Sequence, residues 1–545
     1  MKVKLIITAM LFYCVSDFAQ VQMTNGPELD NNRDIRMNRM LGGDDNSFYS
    51  YKIRSKGKGT SFYIEKYDKK TLKSEFSKEV NLEDEKNTKI EDVEYSSGNV
   101  YIFRKVFDEA GGKATLFFQT VSSQGVVSEQ LKEVVTYQTD HAVFADFDIY
   151  PNPSQTKFLI KASHKASKDG EYKTDFICLD GVGIKKTWTK SVNQKLNSGS
   201  NAALSSVIGM MTGFNIDFQD AGFVGLYFDD SDNFYYGYTI ELKNSTKDER
   251  RYRLNIATME SAATSPKNLE LTFDDDYWVR DIEFMKNNNE IVVGGYIKDV
   301  VERKGRDLTR VGIFSFKINL ATNTIASKAI NFFDDNMLTA LESNPRRSKF
   351  FKYKLDYILP VGDATYYVGE QYNETMARNT SMGIPMTTWS YEYMDIIIAK
   401  LNKDGKFEWI KNVPLRQAYS LMNFKHIFKV YFAVATEKNL YILNDDHPKN
   451  IERYEKADFE PKDLKTIRGI HGTNFVCNTV SLKDGKISRQ VIMENKTYCF
   501  APIQETKPSL VPPEDTEIFV KGKDNTIYIY TEDMARDRFA TIKFD

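Results

Sequence analysis

A single hairpin pattern, repeated, limits what this chain can fold into more than any other feature. The stretch DIEFMKNNNEIVVGGYIKD (Asp281 to Asp299) reads as an apolar run, a polar turn and a second apolar run. There are eight copies in all, including IEDVEYSSGNVYIFRKVF from Ile90, FADFDIYPNPSQTKFLIKA from Phe144, LDYILPVGDATYYVGEQY from Leu355 and KVYFAVATEKNLYILND from Lys429. Their turns are built from Asn, Asp, Gly and Ser, which tolerate tight-turn dihedrals. Their flanks are rich in β-branched and aromatic residues, which is the strand signal.

A second hairpin follows the first in most copies, as in FYIEKYDKKTLKSEFSKEV, FICLDGVGIKKTWTKSV and IIIAKLNKDGKFEWIKNV. Phe76, Trp188 and Trp409 fall at nearly the same place on its last strand. Two hairpins supply four antiparallel strands, and four such strands make one blade of a β-propeller. Units of roughly 50 to 90 residues, varying in their loops, fit a repeat architecture. The last copy has only three convincing strands, ending in FATIKFD, while residues near VQMT (Val21 to Thr24) precede a complete first unit. The pattern therefore predicts an all-β chain, a single β-propeller of eight four-stranded blades. The N- and C-terminal strands would share the last blade, which removes two exposed sheet edges. Seven blades is the alternative if residues 445–472 break the count, and a pair of β-sandwiches comes third.

The 545 residues are 41% hydrophobic with a net charge of -2, the profile of a globular protein and not of a disordered one. Lys and Arg nearly balance Asp and Glu, so no general affinity for nucleic acid follows. MKVKLIITAMLFYCVSDFAQ has the order of a secretory signal: Lys2 and Lys4, an apolar core, then small residues. The expectation is a signal peptide over 1–19 cut after Ala19, with Ser16 as the fallback, and a propeller over 20–545. Tyr13 before Cys14 speaks against lipidation of that cysteine. No apolar run is long enough to span a bilayer as a helix, so no transmembrane segment is expected. Cys178, Cys477 and Cys499 then remain, an odd number; Cys477 and Cys499 have a spacing compatible with a bridge, and buried thiols are the simpler reading of all three.

Four insertions interrupt the repeats, near 197–216, 373–393, 445–472 and 505–516. The first is small, apolar and Met-containing. The second is expected to separate two strands of the sixth blade. The third is charged and predicts a short helix, and the fourth is a Pro-rich linker. Met210, Met211, Met382, Ile384, Met386 and Trp389 in the first two are candidate partner-binding residues, because thioethers repack easily and aromatics anchor interfaces. The competing expectation is that they fold back over the propeller's own face.

Catalytic signatures are missing. There is no GxSxG, HExxH, GxxxxGK[ST] or strand-following GxGxxG, and no two of the five histidines share metal-ligand spacing. No catalytic, cofactor-binding or metal residue is therefore assigned. Acidic turns such as FDDSDN (Phe228 to Asn233) and NDDH (Asn444 to His447) raise calcium as the one cofactor to weigh. FDDSDN has Phe234 where a calcium loop needs glycine and lacks the distal glutamate, so turn chemistry is the preferred account. DIYPNPSQ (Asp148 to Gln155) resembles the opening of the C-terminal sorting domain of type 9 secretion, but the chain runs on far beyond it, and it is read as a hairpin turn.

DIIIAKLNKDGKFEWIKNVPLRQ (Asp395 to Gln417), preceded by YYVGEQYNE, resembles a recurrent segment of uncharacterised exported β-propeller-like proteins of Bacteroidota bacteria. The short leader ending in FAQ is similar to exports of that group. The resemblance implies an envelope location, periplasmic or at the cell surface, with outer-membrane complexes as companions. It implies no catalytic residue. The expectation is an exported, non-enzymatic protein-interaction scaffold whose rigid ring presents loops to an envelope protein. The alternative is a glycan-binding protein, hydrolase or lyase that uses the central funnel, where a pair of acids would have to converge.

Overall fold

The computed structural model describes residues 21–545 except 30–34, 57–58, 82–87, 169–172, 184, 193–222, 242–251, 274–276, 288, 304–305, 335–351, 382–383, 423–429, 455, 457–458, 469–471, 495–518 and 534–535. The strands run from β1 (Gln22–Leu29) to β33 (Arg536–Lys543) and form eight antiparallel sheets. In chain order the sheets are β2–β5 (35–80), β6–β9 (88–138), β10–β13 (145–192), β14–β17 (223–271), β18–β21 (278–332), β22–β25 (352–413), β27–β30 (431–493) and β31–β33 (519–543). β1 pairs with β33 and supplies the fourth strand of the eighth sheet. The chain is a β-propeller, and the count of eight, not seven, holds through residues 445–472.

The first strands of successive sheets lie against one another, so these strands are innermost. Large side chains fill the space between neighbouring blades, as packing sheet on sheet requires. Phe176, Phe234 and Tyr236 lie together between blades three and four. Val21, Tyr441, Phe475, Ile529 and Phe544 join blades seven and eight. Phe48, Tyr67, Tyr530 and Phe539 join the eighth blade to the first. The aromatic content read as strand signal is therefore also the inter-blade packing.

Phe76, Trp188 and Trp409 sit in β5 (Ser74–Val80), β13 (Lys185–Val192) and β25 (Phe407–Val413), opposite Lys66, Cys178 and Lys400. In each blade the residue just before the aromatic one, Glu75, Thr187 or Glu408, is a β-bulge. The shared sequence position is thus a shared register. Each ring packs towards the next blade: Phe76 against Gly125, Trp188 stacked on Phe234, Trp409 against Gly485.

Close approach also explains one glycine. A Cβ at Gly294 would lie 2.1 Å from the Tyr367 ring of the next blade. Tyr367 is fully buried, and its hydroxyl donates to Ser315 Oγ at 2.8 Å, so the ring is held at both ends. Gly294→Val is expected to cost about 1–3 kcal/mol or more by overpacking. A lowered denaturant midpoint with unchanged slope is the measurement.

Cys178 and Cys477 are free, buried thiols, and burial pushes the Cys178 thiol up to about 11 and that of Cys477 to about 12. Cys499, the leader (1–19) and the insertions 197–216 and 505–516 lie outside the described residues. No helix among the described residues is long and apolar enough to cross a membrane.

Candidate functional face

Antiparallel order fixes which connections share a face. The turns after the first and third strands of every blade emerge on one face, and those after the second and fourth strands on the other. Every connection of more than ten residues, namely 193–222, 333–351, 414–430, 447–473 and 494–518, belongs to the second set. Of the insertions read from the sequence, 373–393 and 445–472 follow second strands and so belong to this long-connection face. The opposite face carries short turns.

The second insertion is not a loop between two blade strands. Residues 373–393 continue those strands: β23 (Ala364–Ser381) and β24 (Ile384–Leu401) pair from Thr365↔Leu401 to Ser381↔Ile384. β26 (Gln417–Met422) adds a third strand on β24, from Tyr393↔Gln417 to Thr388↔Met422. The correction has a simple cause: Thr, Tyr, Met and Trp at alternate positions favour a strand, and only two residues separate Ser381 from Ile384. The result is an arm that, among the described residues, outruns its blade, since the described part of β22 (Lys352–Val361) pairs only as far as Lys352↔Tyr372. β19 (Glu290–Arg303) and β20 (Arg306–Asn319) form a second long hairpin in the neighbouring blade.

Of the six candidate residues, Met386 and Trp389 are half-buried on β24. Trp389 packs at the margin of the buried cluster that contains Tyr391, Tyr393 and Tyr419. Ile384 belongs to β24, with its side chain outside the description; Met210, Met211 and Met382 lie outside the described residues. Met376, directly across from Trp389, is exposed and was not among the six.

Sequence reading also missed the floor beneath this face. Second strands are apolar near the short turns and polar towards the long connections. β7 (Asn99–Asp108) passes from Tyr101, Ile102 and Phe103 to Arg104 and Lys105. β28 (Asn439–Asp446) passes from Tyr441, Ile442 and Leu443 to Asn444, Asp445 and Asp446, all buried. The signal was available in VYIFRKV and LYILNDD, where charges follow an apolar run at the same place.

These polar groups are largely spent on one another. Asp446 accepts from Asn450 Nδ2 at 2.7 Å and from Arg489 Nη1 at 3.1 Å. Arg489 also donates to Asn478 Oδ1 at 2.6 Å and lies 3.3 Å over the Tyr454 ring. Asn450 and Tyr454 belong to α1 (Pro448–Tyr454), the short helix expected in the third insertion. Tyr454 donates to the Pro414 carbonyl, and the Ile467 N–H donates to that of Arg416, so the insertion is strapped to β26. Arg416 in turn pairs with buried Asp395 at 2.5 Å. One oxygen of Asp445 is among the buried polar atoms without a hydrogen-bond partner. Burial, then the like charge of Asp446, pushes its carboxyl well above the usual range.

On the short-turn face the two acidic and proline-rich turns meet each other. Asp230 Oδ1 accepts from Asn152 Nδ2 at 2.7 Å, Ser154 N at 3.1 Å and Ser154 Oγ at 2.8 Å. Asp232 pairs with Lys157, and Asp229 with Lys286 of the fifth blade at 2.9 Å. DIYPNPSQ is a hairpin turn, and FDDSDN clasps it to the next two blades. Among the described residues no group of three or more His, Cys, Asp or Glu side chains is arranged to hold a metal ion.

Neither protein-family models nor curated proteins match the chain. Among solved structures it is similar to the β-propeller domain of the Trilobed protease from Pyrococcus furiosus, at 8% identity and a TM-score of 0.33, over 85% of this chain and 96% of that one. It is similar to polysaccharide lyase Uly1, at 9% identity and a TM-score of 0.35, over 84% and 90%. It is also similar to the β-propeller domain of Nup133 from Vanderwaltozyma polyspora, at 10% identity and a TM-score of 0.34, over 83% and 100%. Scores of this size carry no argument about what this chain does.

Proposed function

We propose that this chain is an exported, non-enzymatic interaction scaffold that docks through its long-connection face on a protein of the bacterial cell envelope, in the periplasm or at the cell surface. An outer-membrane complex is the partner class favoured. The observation that carries this reading is the inequality of the two faces: one is kept to short clasped turns, while the other collects every long connection and the arm of the sixth blade. Recognition on rigid folds is carried by such connections. The floor beneath them is knitted by Asp446, Arg489, Asn450 and Arg416, which suits a fixed platform. The resemblance of Asp395 to Gln417 to a segment of exported propeller-like proteins of Bacteroidota supports the location.

The test is capture from envelope extracts by the immobilised protein. Removing residues 377–388 and joining Met376 to Trp389 through Asn-Gly keeps the root of the arm in register. That variant is expected to lose about nine-tenths or more of the captured protein, as removal of an anchoring patch does. Substitution of exposed Val182 on the opposite face should leave capture unchanged. Equal capture by the trimmed variant would overturn the arm's role.

A further inference from the structure

We infer that Lys161 and Asp148 of the third blade condense into an amide, a covalent cross-link between the first two strands of that blade. The two residues stand directly opposite each other on β10 (Ala145–Pro151) and β11 (Lys157–His164), whose pairing runs without a bulge. Lys161 Nζ lies 2.5 Å from Asp148 Oδ2. Reacting atoms poised for attack are about 3–3.5 Å apart, and a carboxyl carbon bonded to an oxygen at hydrogen-bond distance meets that condition.

The surroundings of the amine separate this pair from an ordinary surface ion pair. The Lys161 side chain is 1% exposed. It shares a sheet face with Leu159 and stands opposite Phe176, both fully buried in the cluster between blades three and four. Burial of this kind disfavours the charged form of an amine and of a carboxyl alike. For Asp148, burial and the like charges of Asp146 and Glu91 raise the carboxyl against the pull of Lys161. A neutral amine beside a neutral carboxyl is the form that can join. Two other lysines are nearly as enclosed, but their carboxylates are shared. Glu65, paired with Lys52, also accepts from Tyr67 and Ser77; Glu91, paired with Lys105, also accepts from Lys89. Among the described residues Lys161 is the one donor that reaches Asp148.

The step balances without a co-reactant. The shared proton moves from Nζ to Oδ2, and the nitrogen lone pair forms the C–N bond at the Asp148 carboxyl carbon. A second proton passes from the nitrogen to the departing hydroxyl, the C–OH bond breaks, and one water molecule leaves. Nothing is oxidised or reduced. β10 is an innermost strand and the Asp148 side chain is partly open, so the water has a way out. The inference goes beyond the docking reading, because it concerns the covalent structure of the ring and needs no envelope partner.

The experiment is the intact mass of the full chain, purified, held at neutral pH and then denatured, followed by digestion. The mass is expected to be lower by one water molecule than the sequence requires, and digestion should give a branched peptide joining residue 148 to residue 161. Lys161→Arg keeps the positive charge without the amine, Asp148→Ala removes the carboxyl, and each should return the full mass. A parent of full mass overturns the inference. So does loss of water without a peptide branched between 148 and 161, as an aspartate closing on its own backbone would give, or a mass deficit that persists in Lys161→Arg. The parent's own mass decides the matter even where a variant fails to fold. A full-mass parent that still captures an envelope protein would sink the cross-link and leave the docking reading standing.

Discussion

Deletion of Val21–Leu29 is expected to remove several kcal/mol of stability and to leave a protein that aggregates on storage. β1 is the only element of the eighth blade that comes from the start of the sequence, and six of its residues are in register with β33, from Gln22↔Lys543 to Leu29↔Asp537. Its loss exposes the β33 edge, an open template for intermolecular pairing. It also opens two junctions. Val21 lies in the cluster between blades seven and eight, where Gln490 both accepts from its N–H at 3.2 Å and donates to its carbonyl at 3.0 Å. Gly26 lies against Leu72 of the first blade, where a Cβ would come within 2.6 Å of the Leu72 Cβ and 2.9 Å of the Phe539 carbonyl. Burial of one such apolar side chain is worth about 1.5–3 kcal/mol, and a whole protein is held by about 5–15 kcal/mol. Thermal melts with light scattering read the effect. Gly26→Val tests the same junction without shortening the chain and should lower the midpoint in the same direction. A truncated protein that melts like the parent would show that β1 adds nothing to ring closure.

The blade count and the shared last blade were legible in the sequence because each rests on local signals that repeat. YSSGN and LPVGD announce a turn whatever lies around them, and eight copies leave little freedom for the topology. The arm was legible only in part. Residues 373–393 were marked as an insertion because they break the repeat length. Yet a strand that outruns its neighbour has the same alternation as one that does not, and only the register of β22, which among the described residues ends at Tyr372, shows where the blade stops. Met376 was missed for a related reason. Its exposure depends on its partner across the hairpin, Trp389, and that pairing is set by a turn that begins ten residues beyond Tyr372, not by composition.

The acidic turns illustrate the opposite limit. FDDSDN looks like a ligand shell when read alone, since oxygen donors in a turn serve a cation and a neighbouring blade equally well. Asp229 and Asp230 found Lys286, Asn152 and Ser154, all far away in sequence, and no local rule could have paired them. NDDH behaves differently again. Its two carboxylates are adjacent in the chain but point to opposite sides of β28, so one reaches Arg489 and the other has no cation acting on it.

That asymmetry predicts substitutions of opposite sign at neighbouring residues. Asp446→Asn removes one side of a buried ion pair and should cost about 3–5 kcal/mol, because Arg489 is left without its counter-charge. Asp445→Asn should instead stabilise the protein at neutral to alkaline pH by about 1–3 kcal/mol, the penalty of a poorly satisfied buried polar group. Burial and the like charge of Asp446 both oppose the charged form of Asp445. Its carboxyl therefore holds its proton more tightly folded than unfolded, where it titrates near about 4. A raised folded value means that its contribution to stability is fully present below about pH 4 and is lost as pH rises through the folded value. The gain from Asp445→Asn should accordingly grow between acid and neutral pH and vanish at the acid end. Asp175 supplies the internal contrast: hydrogen bonds from Ser191 and Tyr137, with the His164 ring close by, outweigh its partial burial and hold its carboxyl down at about 2. Its contribution is fully present above about pH 4 and is lost as pH falls from there through about 2. Denaturant titrations of the parent, Asp445→Asn, Asp446→Asn and Asp175→Asn at several pH values read all three trends together. A pH-independent gain at 445, or a loss there matching that at 446, would show that both carboxylates are ionised and paired.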